Sequence, residues 1–389
     1  MQGSLNGGST TLIYGTMTLN FSQSDSLLLL SRILTNYGTM TLSGNADEAD
    51  TLDVSRSQIT NYGSMALNAP STGSVRVDYF TLIGSFINQR DITVTGGEVD
   101  LKLPGNDEEN VSENYGNITV TSGSLNLTQG LVTYGYLQAN GGATVNFDVG
   151  LFQFMNCGTS DMMRGAGSFV VNDAGATIRI QQGADITASN FYLDSGTLEG
   201  QGTFEANYFG WYGGTMADQG VTLVGPSDYM VISADTATID QRTLQIQGAV
   251  LWYYSQTIAL EEAAQILIDG GTFNTLVGGD GTISSDNSAT QIQVIHSGTF
   301  TVSNGDSVTI GPTFRNNSGS VYFEGNTTIP VASGRGGYYA VGIDTYTEFG
   351  NGSYDFGAFS VTTGIAVLNG GNLSVTTTTD NLFTDHRVF

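Results

Sequence analysis

The 389 residues hold 36 Asp and Glu against 11 Lys and Arg, for a formal net charge of −25, and only 12% of positions are charged. That balance argues against nucleic acid and anionic membrane as partners, since both need basic patches to neutralise phosphate. Apolar residues at 39% and aromatics at 10% argue against a disordered chain, and the single cysteine excludes an internal disulfide framework.

In chain order, "MQGSLNGGSTTLIYG" has neither a basic region nor an apolar stretch of signal-peptide type. "SLLLLSRIL" (26–34) is too short to span a bilayer and contains Arg32. Repeat-like sequence runs to both ends, so we expect a processed protein or a segment of a longer one. A Tyr-Gly signal then recurs as "IYGTMTL", "NYGTMTL", "NYGSMAL", "NYGNITV" and "TYGYLQA", at Gly15, Gly38, Gly63, Gly116 and Gly135. "INQRDITV" fits the gap, with Arg90 in the glycine position, and the successive steps are 23, 25, 27, 26 and 19 residues. Such drift is expected of a solenoid whose insertions fall in loops.

After each signal the pattern has period two, which specifies strand. Met40 and Leu42, Met65 and Leu67, Ile92 and Val94, and Ile118 and Val120 share one face, with Thr16, Thr18, Thr39 and Thr41 on the other. A further strand follows in several repeats, as at 97–103, 123–129 and 142–148, with no room for a crossover helix. Parallel pairing between successive turns of the chain satisfies these backbones. On this reading Asn extends an amide ladder from coil to coil, Tyr stacks on Tyr, and the glycines take positive φ at tight corners. Charge is scarce because an ionised residue repeated at one coil position would face its own copy about 5 Å away.

Cys157, in "FQFMNCGTSDMM", reads as a small buried hydrophobe. Beyond it the grammar persists with different words. Trp211 precedes "GGTM" and Trp252 precedes "SQTI", 41 residues on, which is two coils. "IALEEAAQILI" has helical propensity, but the surrounding period predicts strands over 257–260 and 265–269 with a turn at Glu261–Ala264.

"TNYGTMTLSGN" resembles the Asn-x-Gly-x-Ile/Leu coils of bacterial haemagglutinin and autotransporter-type β-helices. "FGWYGGTM", "RTLQIQGAVLW" and "ALEEAAQILIDGGTF" resemble the Gly/Thr-rich arrays of large secreted surface proteins of microbes. The resemblance implies a right-handed helix with adhesive or structural roles at the cell surface. No Cys-rich cap or membrane-anchoring barrel accompanies it.

Candidate chemistry is sparse. Asp185, Asp194, Asp228, Asp235 and Asp240 read as solvated loop residues, and no pectin-hydrolase signature is present. His296, in the strand-like "QVIHSGTF", and His386 are the only histidines, too few for a metal or triad site. Calcium is the one candidate cofactor, on "GNDEEN" (105–110) and "GGDGTISSDN" (278–287), although neither matches an EF-hand loop. The outward Thr pairs decay after two coils, which disfavours an ice-binding face. Asn20, Asn110, Asn117, Asn126, Asn316, Asn326, Asn351 and Asn372 each open an Asn-x-Ser/Thr triplet and are candidate glycosylation sites in a eukaryotic source.

The expectation is therefore an all-β, single-stranded, right-handed parallel β-helix of about sixteen coils, ~75 Å long at the strand spacing. Residues 1–150 carry the Asn-Tyr-Gly coils and 151–389 the Trp-containing continuation. The expected role is a non-enzymatic structural or adhesive module, extracellular or at the cell surface. Its expected partners are copies or neighbouring segments in a filament or larger surface protein, and glycans. A carbohydrate-active enzyme and a viral or phage fibre are the rivals.

Overall fold

The structure is a computed structural model that describes residues 3–375 with short breaks, the longest at 105–110 and 330–337. Every regular element in it is a β-strand, and the pairings are parallel, so the chain is a parallel β-solenoid. It divides into two compact units, Met1–Gly202 and Thr203–Phe389.

In the first unit each coil has three strands, one more than the repeat predicted. The unforeseen one is the stretch leading into the Tyr-Gly signal. Thr10–Ile13, Ile33–Asn36, Ser57–Asn61, Gly84–Asn88 and Val111–Asn114 form that ladder. The strands after the signal form a second ladder, in which Thr16, Thr39, Ser64, Asp91, Asn117 and Tyr136 are successive register partners. Arg90 therefore does occupy the glycine position. A third ladder runs through Gly3–Asn6, Ser26–Leu30 and Ala49–Ser55 and on through the later parts of longer strands. Asp91–Lys102, for example, serves two ladders, with a register shift between Gly96 and Glu98. Among the described residues the third ladder has nine rungs in this unit. The corresponding ladder of the second unit has eight described rungs, the last of them Ile365–Leu368. The coil number thus differs slightly from the sixteen expected.

The interior follows the alternation. Met40, Met65, Ile92 and Ile118 are register partners, as are Leu42, Leu67, Val94 and Val120, and all eight are buried. Thr41, Ala66, Thr93 and Thr119, between them, are partly exposed. In the second unit, strands Thr257–Glu261 and Gln265–Asp269 flank a turn in which Glu262 and Ala263 take φ of 43° and 72°. The Ala264 N–H closes that turn on the Glu261 carbonyl at 2.9 Å. Helical propensity loses here because each flanking strand already has a parallel partner one coil away. Trp211 pairs with Ile232, which pairs with Trp252, so the tryptophans are two coils apart. Phe273, Phe300, Phe314 and Phe323 continue the core as ring contacts of 5.0–6.3 Å between centroids.

Two expectations are corrected. Gly15, Gly38, Gly63, Gly116 and Gly135 do sit at equivalent corners, but none of them is at positive φ. The residue must be glycine because the previous coil is too close. A Cβ at Gly38 would lie 2.0 Å from the Gly15 carbonyl oxygen, and one at Gly63 would lie 2.1 Å from that of Gly38. Those carbonyls point into the next coil to accept from the Thr39 and Ser64 N–H groups, each at 2.9 Å. Positive φ falls at the following corner, at Gly96 (102°) and Gly123 (77°). Cys157, expected inside, is exposed. It lies past the end of strand Thr144–Phe154, and the interior volume nearby is taken by Met162 and Met163.

Candidate functional site

The Asn-Tyr-Gly corner is the most developed side-chain constellation of the first unit. Its asparagine is the last residue of a strand and points inward. Asn36, Asn61, Asn88 and Asn114 are all buried, and each of the first three passes an Nδ2–H to the Oδ1 of the next at 2.8 Å. The remaining amide hydrogens reach backbone carbonyls across the corner, Asn36 to Ser64 at 2.9 Å and Asn88 to Arg90 at 2.9 Å. Gly38 N–H also donates to Asn36 Oδ1 at 3.1 Å. An amide suits the position because it both donates and accepts, so identical residues satisfy one another along the stack. The ladder begins after Ile13, the register partner of Asn36, and ends at Thr133, the partner of Asn114.

The next residue points outward. Tyr14, Tyr37 and Tyr62 stack with centroids 5.2 Å apart and planes within 7°. Gln89 takes the following slot, after which Tyr115 and Tyr134 stack at 4.6 Å and 3°. On the outer strand faces several charged side chains meet an amide or an opposite charge from the neighbouring coil. Asn117 Nδ2 donates to Asp91 Oδ1 at 2.8 Å, Gln245 Nε2 to Asp269 Oδ2 at 2.8 Å, and Arg179 Nε to Glu199 Oε1 at 2.6 Å.

The candidates taken from the sequence are scattered. Asn20, Asn117 and Asn326 are exposed. Asn126 is half-buried and donates to Glu98 Oε1 and Asp100 Oδ1 at 2.6 and 2.7 Å. Asn316 is buried and bonded to Gly319 through both ends of its amide, at 3.1 and 3.0 Å, so a glycan there would require opening that corner. Asn110, Asn351 and His386 lie outside the described residues, as does the side chain of Asn372. Asp185, Asp194 and Asp235 are exposed, as expected. Asp240 instead ends strand Thr236–Asp240 half-buried, and Asp228 is half-buried, accepting from Gly225 N–H at 3.0 Å. These two pack against neighbouring coils, which the linear spacing of aspartates does not reveal. The 105–110 segment is not described, and 278–287 is described in part, with Asp280 and Asp286 exposed. Among the described residues no group of three or more His, Cys, Asp or Glu is placed to hold a metal ion.

Three groups escaped the sequence reading. Glu205 approaches Asp228, and its burial together with their hydrogen bond raises its pKa, so the pair favours holding a proton. Asp269 meets His296, which stands just past strand Gln291–Ile295 at a φ of 50°. His296 Nδ1 lies 2.5 Å from Asp269 Oδ1. Arg242 is wholly buried, donating to Thr222 Oγ1 and the carbonyls of Ala217 and Val221 at 2.8–3.1 Å, and burial lowers its guanidinium to about 10. No spacing rule marks such pairs, because partners one coil apart are separated by a variable number of residues.

Comparison with known families, curated proteins and solved structures returned no match. The fold and the corner geometry therefore carry the functional argument. Among the described residues no helix is long and apolar enough to cross a membrane.

Proposed function

We propose that the chain is a structural or adhesive β-helix module, displayed outside the cell as part of a larger surface protein or filament. The observation that carries this reading is the corner itself. Successive coils devote a buried asparagine, an outward tyrosine and a glycine to coil-to-coil stacking. That is the economy of a scaffold, in which each repeat is stabilised by its neighbours. The high acidic excess (net charge −25) suits a saline medium and keeps neighbouring molecules apart. Asn20, Asn117 and Asn326 present their Asn-x-Ser/Thr triplets at the surface, as glycan attachment requires.

The test is electron microscopy and immunolabelling of the native source, using antibodies against this chain. Labelled fibres or a labelled surface layer support the reading. Label confined to the cell interior defeats it.

A further inference from the structure

The corner tyrosines stack with their phenol groups at the surface. Tyr14, Tyr37, Tyr62 and Tyr115 are 72, 49, 45 and 42% exposed, and Tyr134 is partly exposed. Parallel phenols held one strand spacing apart are reactants already brought together, which removes much of the entropic cost of joining them. We propose that Tyr115 with Tyr134, and neighbours within the Tyr14, Tyr37 and Tyr62 stack, are sites of oxidative cross-linking. A haem peroxidase supplied with hydrogen peroxide would there join adjacent coils by dityrosine bonds.

The step balances as follows. Each phenol gives one electron to the oxidant and its hydroxyl proton to a base. The two phenoxyl radicals couple through ring carbons ortho to oxygen, forming one C–C bond. The two hydrogens on those carbons leave as protons while the two phenolic oxygens are reprotonated, so the link costs two hydrogen atoms in all. The two electrons and two protons reduce one hydrogen peroxide to two waters. Coupling requires the rings to tilt out of parallel, and their exposed outer edges leave room for it.

Tyr115 is the best prepared of the set. Its ring lies 4.6 Å from that of Tyr134 and within 3° of parallel, and burial with the neighbouring Glu113 charge raises its pKa. Gln89 breaks the row between Tyr62 and Tyr115. Those two rings stand two coils apart, ~10 Å at the strand spacing. Cross-links should thus respect two separate blocks.

The experiment treats the full chain at low concentration with a haem peroxidase and hydrogen peroxide. Dityrosine fluorescence, intact mass and size are measured, followed by peptide mapping. Cleavage after Arg32 and Arg56 separates the first three tyrosines, and cleavage after leucine separates Tyr115 from Tyr134. A monomer lighter by two hydrogens per link is expected, with links 14–37 or 37–62 and 115–134 and none between 62 and 115. Tyr134→Phe keeps a ring in the stack and should lose the 115–134 link while retaining those of the other block. Circular dichroism of that variant should be unchanged. Links found only between molecules, a 62–115 link as abundant as 115–134, or no dityrosine under conditions that couple free tyrosine would each overturn the proposal.

Discussion

A methyl group at Gly38 would press against the Gly15 carbonyl, whereas a Cβ at Gly15 meets nothing within 4 Å. Gly38→Ala should therefore cost on the order of 1–3 kcal/mol through overpacking, and Gly15→Ala in this chain should be neutral or slightly stabilising. Thermal melts of the two variants decide it, and equal effects would mean that proximity of the coils is not the constraint. Asp269 supplies a pH test. Hydrogen bonds from His296 first, then Gln245 and Gln247, hold its carboxyl below the usual range despite the opposing effect of its burial. A depressed folded pKa gives stability that is fully present above about pH 4 and lost as pH falls through the folded value. His296→Ala removes the largest of those contributions, so urea midpoints should fall less steeply between about pH 4 and pH 2 in the variant than in the parent. An unchanged acid limb would show that the pair contributes nothing.

At the scale of the element, register is the testable quantity. Leu42 is buried between the strands of neighbouring coils, and Thr41 beside it is partly exposed. Leu42→Ala should cost roughly 2–5 kcal/mol as a cavity, while Thr41→Ala should stay within about 0.5 kcal/mol. Because a one-residue slip exchanges the two faces, the reverse order would place the strand out of register. The asparagine ladder makes a sharper demand. Asn61 accepts from Asn36 and donates to Asn88 and to the Asp91 carbonyl, at 2.8, 2.8 and 3.2 Å. Asn61→Ala orphans buried groups on both neighbouring coils, so denaturant titration should show a loss on the order of 2–4 kcal/mol. A loss well under 1 kcal/mol would mean that water replaces the ladder.

For the whole molecule, the net charge of −25 on 389 residues is a self-repulsion that salt can screen. Raising monovalent salt from about 0.01 to about 1 M shortens the screening length from ~30 to ~3 Å. The melting temperature should rise across that range, and a fall would mean that the cross-coil charge–amide pairs outweigh the repulsion. Asp91 with Asn117 and Asp269 with Gln245 are such pairs, and the ion pair of Glu199 with Arg179 likewise joins neighbouring coils.

The linear chain determined the strand periodicity, the repeat step and the inward residues Met40, Leu42, Met65 and Leu67. All of these follow from local alternation and from a recurrence visible within some 25 residues. It also marked asparagine and tyrosine as stacking residues, since identical side chains at one coil position must satisfy each other. Tertiary structure alone decided the third strand of each coil, whose "ILTN" is too short to show a period. It decided why the corner takes glycine, because the obstructing atom belongs to the coil before, and why Cys157 lies outside, where Met162 and Met163 claim the interior. The pairs Glu205 with Asp228 and Asp269 with His296 depend on stacking as well. A solenoid writes its backbone period into the sequence, but its side-chain partners sit one variable coil away, and only the stacked register brings them together.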